Sequence, residues 1–293
     1  MNASRAQVTT QLSTNVQLAT RRIVRHVQGR QHGPIKRLVS PSDIGELIKP
    51  FVFLDYAEVP PSDTMFGIHP HSGIATLTVV LSGELVYEDT TGKSGQVAAG
   101  GLEWMKAGGG VWHDGHATGH GPLKAYQLWL ALPASQENAP AESQYIAPQD
   151  VQREGPARVV LGQLGNATSP IRSPPGINYL HVALKHGEHW RYAPPAGHTV
   201  AWTAVYEGEL RTPGIVAAGT LAVFNESDAA IDFVANGDTS FVLGSAIKHP
   251  HDLVTGYYSV HTNRAALDRG EAQIRRIGAQ LLASGRLQQP IRL

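Results

Sequence analysis

The sequence predicts an all-β chain of two barrels packed together, followed by a C-terminal helix. Three observations predict it: short β-branched and apolar runs punctuated by glycine and proline, a strand–turn–strand unit that occurs twice, and one stretch of helical periodicity near the end.

Residues 1–20 are polar and lack the apolar core of a signal peptide, so they are expected to be a flexible leader. The first barrel is expected over residues 21–140. Within it, Thr76–Leu81 (TLTVVL) is β-branched and apolar, Ser82-Gly83 turns the chain, and Glu84–Glu88 (ELVYE) returns it toward a second turn at Thr91-Gly92. Ala125–Leu132 (AYQLWLAL) is a further strand, stopped by Pro133. From Pro133 to about Gly155 the chain turns polar, with Pro140, Pro148 and Pro156 marking the connection. The second barrel is expected over 141–262. It repeats two markers of the first: VLSGEL (Val80–Leu85) returns as VYEGEL (Val205–Leu210), and QVAAG (Gln96–Gly100) as IVAAG (Ile215–Gly219), with a shorter gap between them. Residues 263–293 form the helix and tail. Leu267, Ile274, Ile277 and Leu281 share one helical face, Thr262 or Asn263 serves as N-cap, and Arg264, Arg269, Arg275 and Arg276 form a solvated face.

Composition narrows the function. Lys plus Arg and Asp plus Glu number 24 each, so the formal net charge is zero and the basic footprint of a nucleic-acid binder is missing. The chain has no cysteine, which excludes disulfides, thiolate metal sites and cysteine nucleophiles and fits a reducing cytoplasm. No apolar stretch is long enough to cross a bilayer. A cytoplasmic monomer is the expectation.

The chemistry sits in Phe66–His71 (FGIHPH). Residues two apart on a strand face the same way, so His69 and His71 can aim both imidazoles into one barrel. His113, in GGGVWHDGH (Gly108–His116), follows one hairpin and one glycine turn later, a spacing that lets a small antiparallel barrel bring the strands together around one ion. Neutral imidazoles suit iron, nickel, copper or zinc, and three protein ligands leave positions open for chemistry. The alternative for all three is a histidine-filled barrel core.

HPHSG, TLTVVLSGELVYEDTTGKSG, GGLEWMKAGGGVWH and QLWLALP resemble the pirin family in order and spacing. Arg22–Gly29 (RIVRHVQG), Lys49–Tyr56 (KPFVFLDY) and Ile247–Thr262 (IKHPHDLVTGYYSVHT) extend the resemblance over roughly residues 21–275, with His69–Pro133 the most specific part. The resemblance implies a bicupin, two jelly-roll-like cupin barrels, whose N-terminal barrel holds one non-haem metal, typically iron, with nickel, copper, zinc and manganese as alternatives. The family's ligands are two histidines from H-P-H and the histidine and glutamate of H-x-E. His69, His71 and His113 fall on the histidine positions. The glutamate position is Gly115, and a second family glutamate, four residues after H-P-H, is Ala75. Asp114 and His116 are candidate replacements: Asp114 points away from His113's side on a regular strand, and His116 needs a turn, which Gly115 eases. Of the two, His116 is the better fourth-ligand candidate.

Two functional readings follow from the resemblance. One is a flavonol (quercetin-type) 2,3-dioxygenase acting on a small aromatic substrate. The other is a non-enzymatic regulator that binds a transcription factor or metabolic enzyme, its metal structural, redox-sensing or relict. Trp104, Trp112 and Trp129 are candidate pocket residues, with barrel core as the alternative. Aligning the two copies puts Pro194 and Ala196 where His69 and His71 stand, so no metal site is expected in the second barrel. His249 and His251 read as a loop, and His181, His186, His189 and His198 as surface or edge residues.

Overall fold

A computed structural model describes residues 21–61 and 67–289. The expected leader, residues 1–20, and Phe66 lie outside the described residues. The chain is a pair of similar barrels, each a seven-stranded sheet facing a four-stranded one. In the first barrel the large sheet runs in the order Glu142–Ile146, Leu102–Lys106, Ile74–Ser82, Leu123–Ala131, Phe51–Val59, Ile35–Val39 and Arg30–His32. Its small sheet runs His69–His71, Val111–Thr118, Glu84–Asp89 and Ser94–Ala98. The second barrel repeats the plan, its large sheet centred on Val200–Glu207 and Thr239–Ala246, its small one on Ile231–Ala235.

The repeated markers fold alike. Gly83 and Gly208 make the same turn between sheets, with φ of +73° and +77°. A Cβ at Gly83 would lie 2.8 Å from the Pro122 carbonyl oxygen, so the turn needs glycine on both counts.

Alternation along the central strands separates two environments. On Leu123–Ala131, Tyr126, Leu128 and Leu130 enter a core between the barrels, while Leu123, Ala125 and Trp129 face into the first barrel. The between-barrel core also takes Phe51, Trp104, Tyr179 and Trp202, so both faces of each large sheet are buried and its strands read as continuous apolar runs. The second barrel is filled by its own side chains, among them Tyr192, Phe233 and Phe241.

The boundary near residue 140 is crossed in both directions. Ile23–Gln28 pairs with Thr220–Phe224 of the second barrel, although the sequence assigns residues 21–28 to the first. Arg21, wholly buried, secures that crossing by donating to the carbonyls of His198, Thr199 and Ala229. Conversely, Glu142–Ile146 pairs with Leu102–Lys106 of the first barrel.

The helix spans Arg264–Ala283, capped by the Asn263 side chain, which accepts from the Ala266 N–H at 2.9 Å. It packs Leu267, Ile274 and Leu281 inward; Ile277 is only partly buried. Arg264 and Arg275 lie on its exposed side in i,i+4 pairs with Asp268 and Glu271. Among the described residues no helix is long and apolar enough to cross a membrane. His198 and His181 depart from the surface reading. His198 is buried against Ser245, and His181 lies on the between-barrel face with its Nε2 3.0 Å from the Tyr206 hydroxyl.

Candidate metal centre

His69 and His71 leave the same face of His69–His71, and His113 stands directly opposite His69 on Val111–Thr118. The three rings converge inside the first barrel. The Nε2 atoms of His71 and His113 are 3.2 Å apart, and those of His113 and His69 are 3.0 Å apart. Among the described residues this is the one cluster of three such side chains close enough to share an ion.

The other nitrogen of each ring is turned outward. Nδ1 of His69 donates to the Gly67 carbonyl at 2.8 Å, and Nδ1 of His71 to the Tyr258 carbonyl at 3.2 Å. Nδ1 of His113 faces the Glu103 carboxylate at 3.7 Å, too long for a hydrogen bond but near enough for charge to act. Carbonyls only accept, so the protons of His69 and His71 belong on Nδ1, and their Nε2 atoms turn lone pairs toward the centre of the cluster. Burial, aided by His113, pushes the pKa of His69 down to about 3. Burial likewise holds His71 well below the usual histidine range, with His113 and His69 adding to it. Facing lone pairs repel unless a cation lies among them. Two nitrogens bound to one ion at about 2.1 Å and near a right angle sit about 3 Å apart, which is the spacing seen. The residues therefore fit a divalent, nitrogen-preferring metal.

His116 does not join them. The pairing of Val111–Thr118 with Glu84–Asp89 is regular, so His116 lies on the opposite face of the strand from His113. The turn that would have swung it inward is missing because Gly115 stays in the ladder. A Cβ at Gly115 would meet Leu85 Cδ1 at 3.2 Å, so Leu85 crowds the place of the family's glutamate. Ala75 belongs to the between-barrel core and faces away from the histidines.

The site does have a carboxylate, and sequence reasoning missed it. Glu103 is 4 % exposed and lines the cavity in front of the histidines. Its Oε2 accepts from Thr78 Oγ1 at 2.6 Å. Thr78 Oγ1 also lies 2.7 Å from the Gln127 amide. The Gln127 atom there is Oε1, so the single hydroxyl proton of Thr78 faces two acceptors, Glu103 Oε2 and Gln127 Oε1. These contacts hold the carboxylate on the Nδ1 side of His113, where its charge acts on the ring across 3.7 Å. The available signal was a lone acidic residue within the apolar run LEWM, since buried charges are kept only where they are paired.

The cavity has a volume of about 210 Å³. Phe53 and Trp129 stack with centroids 4.1 Å apart and form its aromatic wall. Arg37 lies over Phe53 at 4.4 Å and pairs bidentately with Asp55 at 2.9 Å. Of the three tryptophans that are pocket candidates with core as the alternative, Trp129 lines the cavity and the other two do not. Trp104 points between the barrels, because its neighbour Glu103 takes the inward direction. Trp112 points outward for the same reason beside His113, and its Nε1 donates to the Ile274 carbonyl of the helix at 2.9 Å.

The family model for pirin matches residues 34–130, which contain all three histidines. A Pseudomonas aeruginosa protein that bears the provisional name quercetin 2,3-dioxygenase is 32% identical over 244 residues, covering 76% of this chain and 84% of its own. The chain belongs to the pirin family. A pirin-like protein of Solanum lycopersicum is 27% identical over 237 residues, covering 75% of this chain and 81% of its own. Among solved structures, a quercetin 2,3-dioxygenase from Acinetobacter baumannii superposes with a TM-score of 0.80 at 25% identity, covering 88% of this chain and 98% of that one. The pirin YhhW of Escherichia coli, solved in complex with nickel(II), shares the fold with a TM-score of 0.57 at 21% identity, covering 76% and 96% of the two chains. The bicupin architecture of pirins is thus that of this chain.

Proposed function

We propose that this pirin is a mononuclear metal-dependent dioxygenase of planar phenols, of the flavonol 2,3-dioxygenase type. The observation that carries the reading is the convergence of three imidazole Nε2 atoms beside an aromatic-walled cavity. The quercetin dioxygenase names of a relative and a structural neighbour support the substrate class, and the nickel complex of another pirin supports a metal in this barrel. His69, His71 and His113 would hold the ion, with iron the expected metal. When bound, a divalent ion supplies Lewis acidity that lowers the pKa of a phenolic hydroxyl and readies its anion for oxidation by dioxygen.

The chain's own residues do the rest. The carbonyls of Gly67 and Tyr258 keep the Nδ1 protons in place, so the donor atoms need no reorganisation. Glu103 provides, from behind His113, negative charge that Gly115 does not. The Phe53–Trp129 wall receives a flat ring and excludes water beside the histidines.

Metal content by mass spectrometry on the untagged protein tests the site, with H69A, H113A and H116A in parallel. The expected result is about one ion per chain, lost in H69A and H113A and retained in H116A. Oxygen uptake with quercetin then tests the reaction. Protein that takes up none of iron, nickel, copper or zinc, or that holds metal and consumes no oxygen with any flavonol, would refute the dioxygenase reading.

A further inference from the structure

A strained aromatic residue from the far end of the chain overlooks the three histidines. The hairpin pairing Val254–Gly256 with Ser259–His261 turns through Tyr257 and Tyr258. Tyr258 has a φ of +51°, the one positive value at a non-glycine position among the described residues. A turn position of this kind ordinarily takes glycine, because an L side chain there crowds its own backbone. Such a conformation persists only where the surroundings hold it.

The surroundings do hold it, from two sides. Ser72, next to the ligand His71, donates to Ser259 Oγ at 2.8 Å, and the Val260 N–H donates to the Ser72 carbonyl at 3.2 Å. On the other side, the Tyr257 N–H donates to Glu271 of the helix at 3.3 Å. His261 closes the frame, buried, with Nδ1 3.2 Å from Glu137 and Nε2 3.0 Å from Ser72 Oγ.

What this frame presents is a ring and a carbonyl. The carbonyl accepts from His71 Nδ1. The ring lies 5.3 Å from that of His69, 5.6 Å from that of His71 and 6.2 Å from that of Trp129, and it lines the cavity. Yet it remains 38% exposed. Core packing therefore does not account for a strained residue here, whereas an open aromatic face beside a ligand site does.

We propose that Tyr258 is a ligand-binding residue of the cavity: its ring is the surface against which a planar phenolic ligand packs, and its carbonyl fixes the tautomer of His71. The ligand class rests on the function proposed above; the role of Tyr258 does not require turnover.

The test uses the full chain loaded with zinc, with quercetin and alizarin as probes, followed by absorbance while bound zinc is counted. Y258G suits the backbone at this φ, so it removes the ring and leaves the carbonyl in place. Y258G should bind both probes roughly tenfold more weakly, and Y258F within about twofold of the parent, with zinc content unchanged. Equal binding by Y258G and the parent would overturn the proposal, as would a binding loss matched by an equal loss of zinc, or a parent that binds neither probe. Oxygen uptake by the iron-loaded parent separates the two ideas. Binding that depends on Tyr258 without oxygen uptake supports this inference and refutes the dioxygenase.

Discussion

Acidification offers a quantitative test of the between-barrel core. His181 sits there with one nitrogen against the Tyr206 hydroxyl and the other buried without a hydrogen-bond partner. Burial first, then Arg158 and Arg153, hold its pKa at about 4 against an ordinary 6.5. A base depressed in this way takes up its proton on unfolding. Its contribution to stability is complete above 6.5 and drains away as the pH falls toward 4. From about pH 7 to about pH 5, linkage gives a loss of up to about 2 kcal/mol for this one residue. That figure is a ceiling, because the ring keeps some solvent contact and the shift is screened accordingly. The assay is urea unfolding of the metal-free chain at both pH values, for the parent and for H181Q. The variant should lose stability less steeply, by roughly 1–2 kcal/mol over that interval. Equal steepness would show that His181 is not held neutral in the folded state. In the metal-free parent His69 and His71 work in the same direction, and a bound metal, which needs its imidazoles deprotonated, should steepen the acid limb further.

Three further outcomes follow from contacts already described. E103Q keeps the acceptor for Thr78 but removes the charge behind His113, so nickel affinity measured by competition titration should fall about 10–100-fold. Affinity equal to the parent would leave Glu103 without a role at the metal. In G278V the new Cβ meets Trp112 Cζ2 at 2.7 Å, so the helix must shift off the back of the His113 strand; thermal unfolding should show a loss of about 1–3 kcal/mol. R21A strips the buried partner from three carbonyls and should cost roughly 3 kcal/mol in denaturant unfolding, and a neutral effect would refute the clamp.

Much of this was legible in the sequence because strands have a period of two. His69-Pro70-His71 had to put both imidazoles on one face, and the glycine turns at Gly83 and Gly208 betrayed the duplicated plan. The same period misleads where both faces are buried. On Leu102–Lys106 nothing in the apolar pattern says whether Glu103 or Trp104 points into the barrel; of the pocket and core readings open to Trp104, it takes a core position. Trp112 was avoidable: once His113 points inward, its neighbour cannot. His116 failed because Gly115 permits a turn without requiring one. Tyr258 was beyond reach, since its contact with His71 joins residues 187 positions apart. Lone-sequence reasoning sees spacing within a strand, and a partner supplied by another strand leaves no local mark.

The two crossing strands make the barrels a single object in a way that their internal repeat conceals. A cut at the apparent linker would take Ile23–Gln28 away from Thr220–Phe224 and leave that strand as an open edge, ready to pair with another chain. The other fragment would keep the histidines but expose the apolar face of its large sheet, together with Glu103's neighbour Trp104. The second barrel, which contributes none of the three histidines, is thus a permanent splint for the one that does. Two barrels of one plan cannot be parted without opening a strand edge on one and an apolar face on the other.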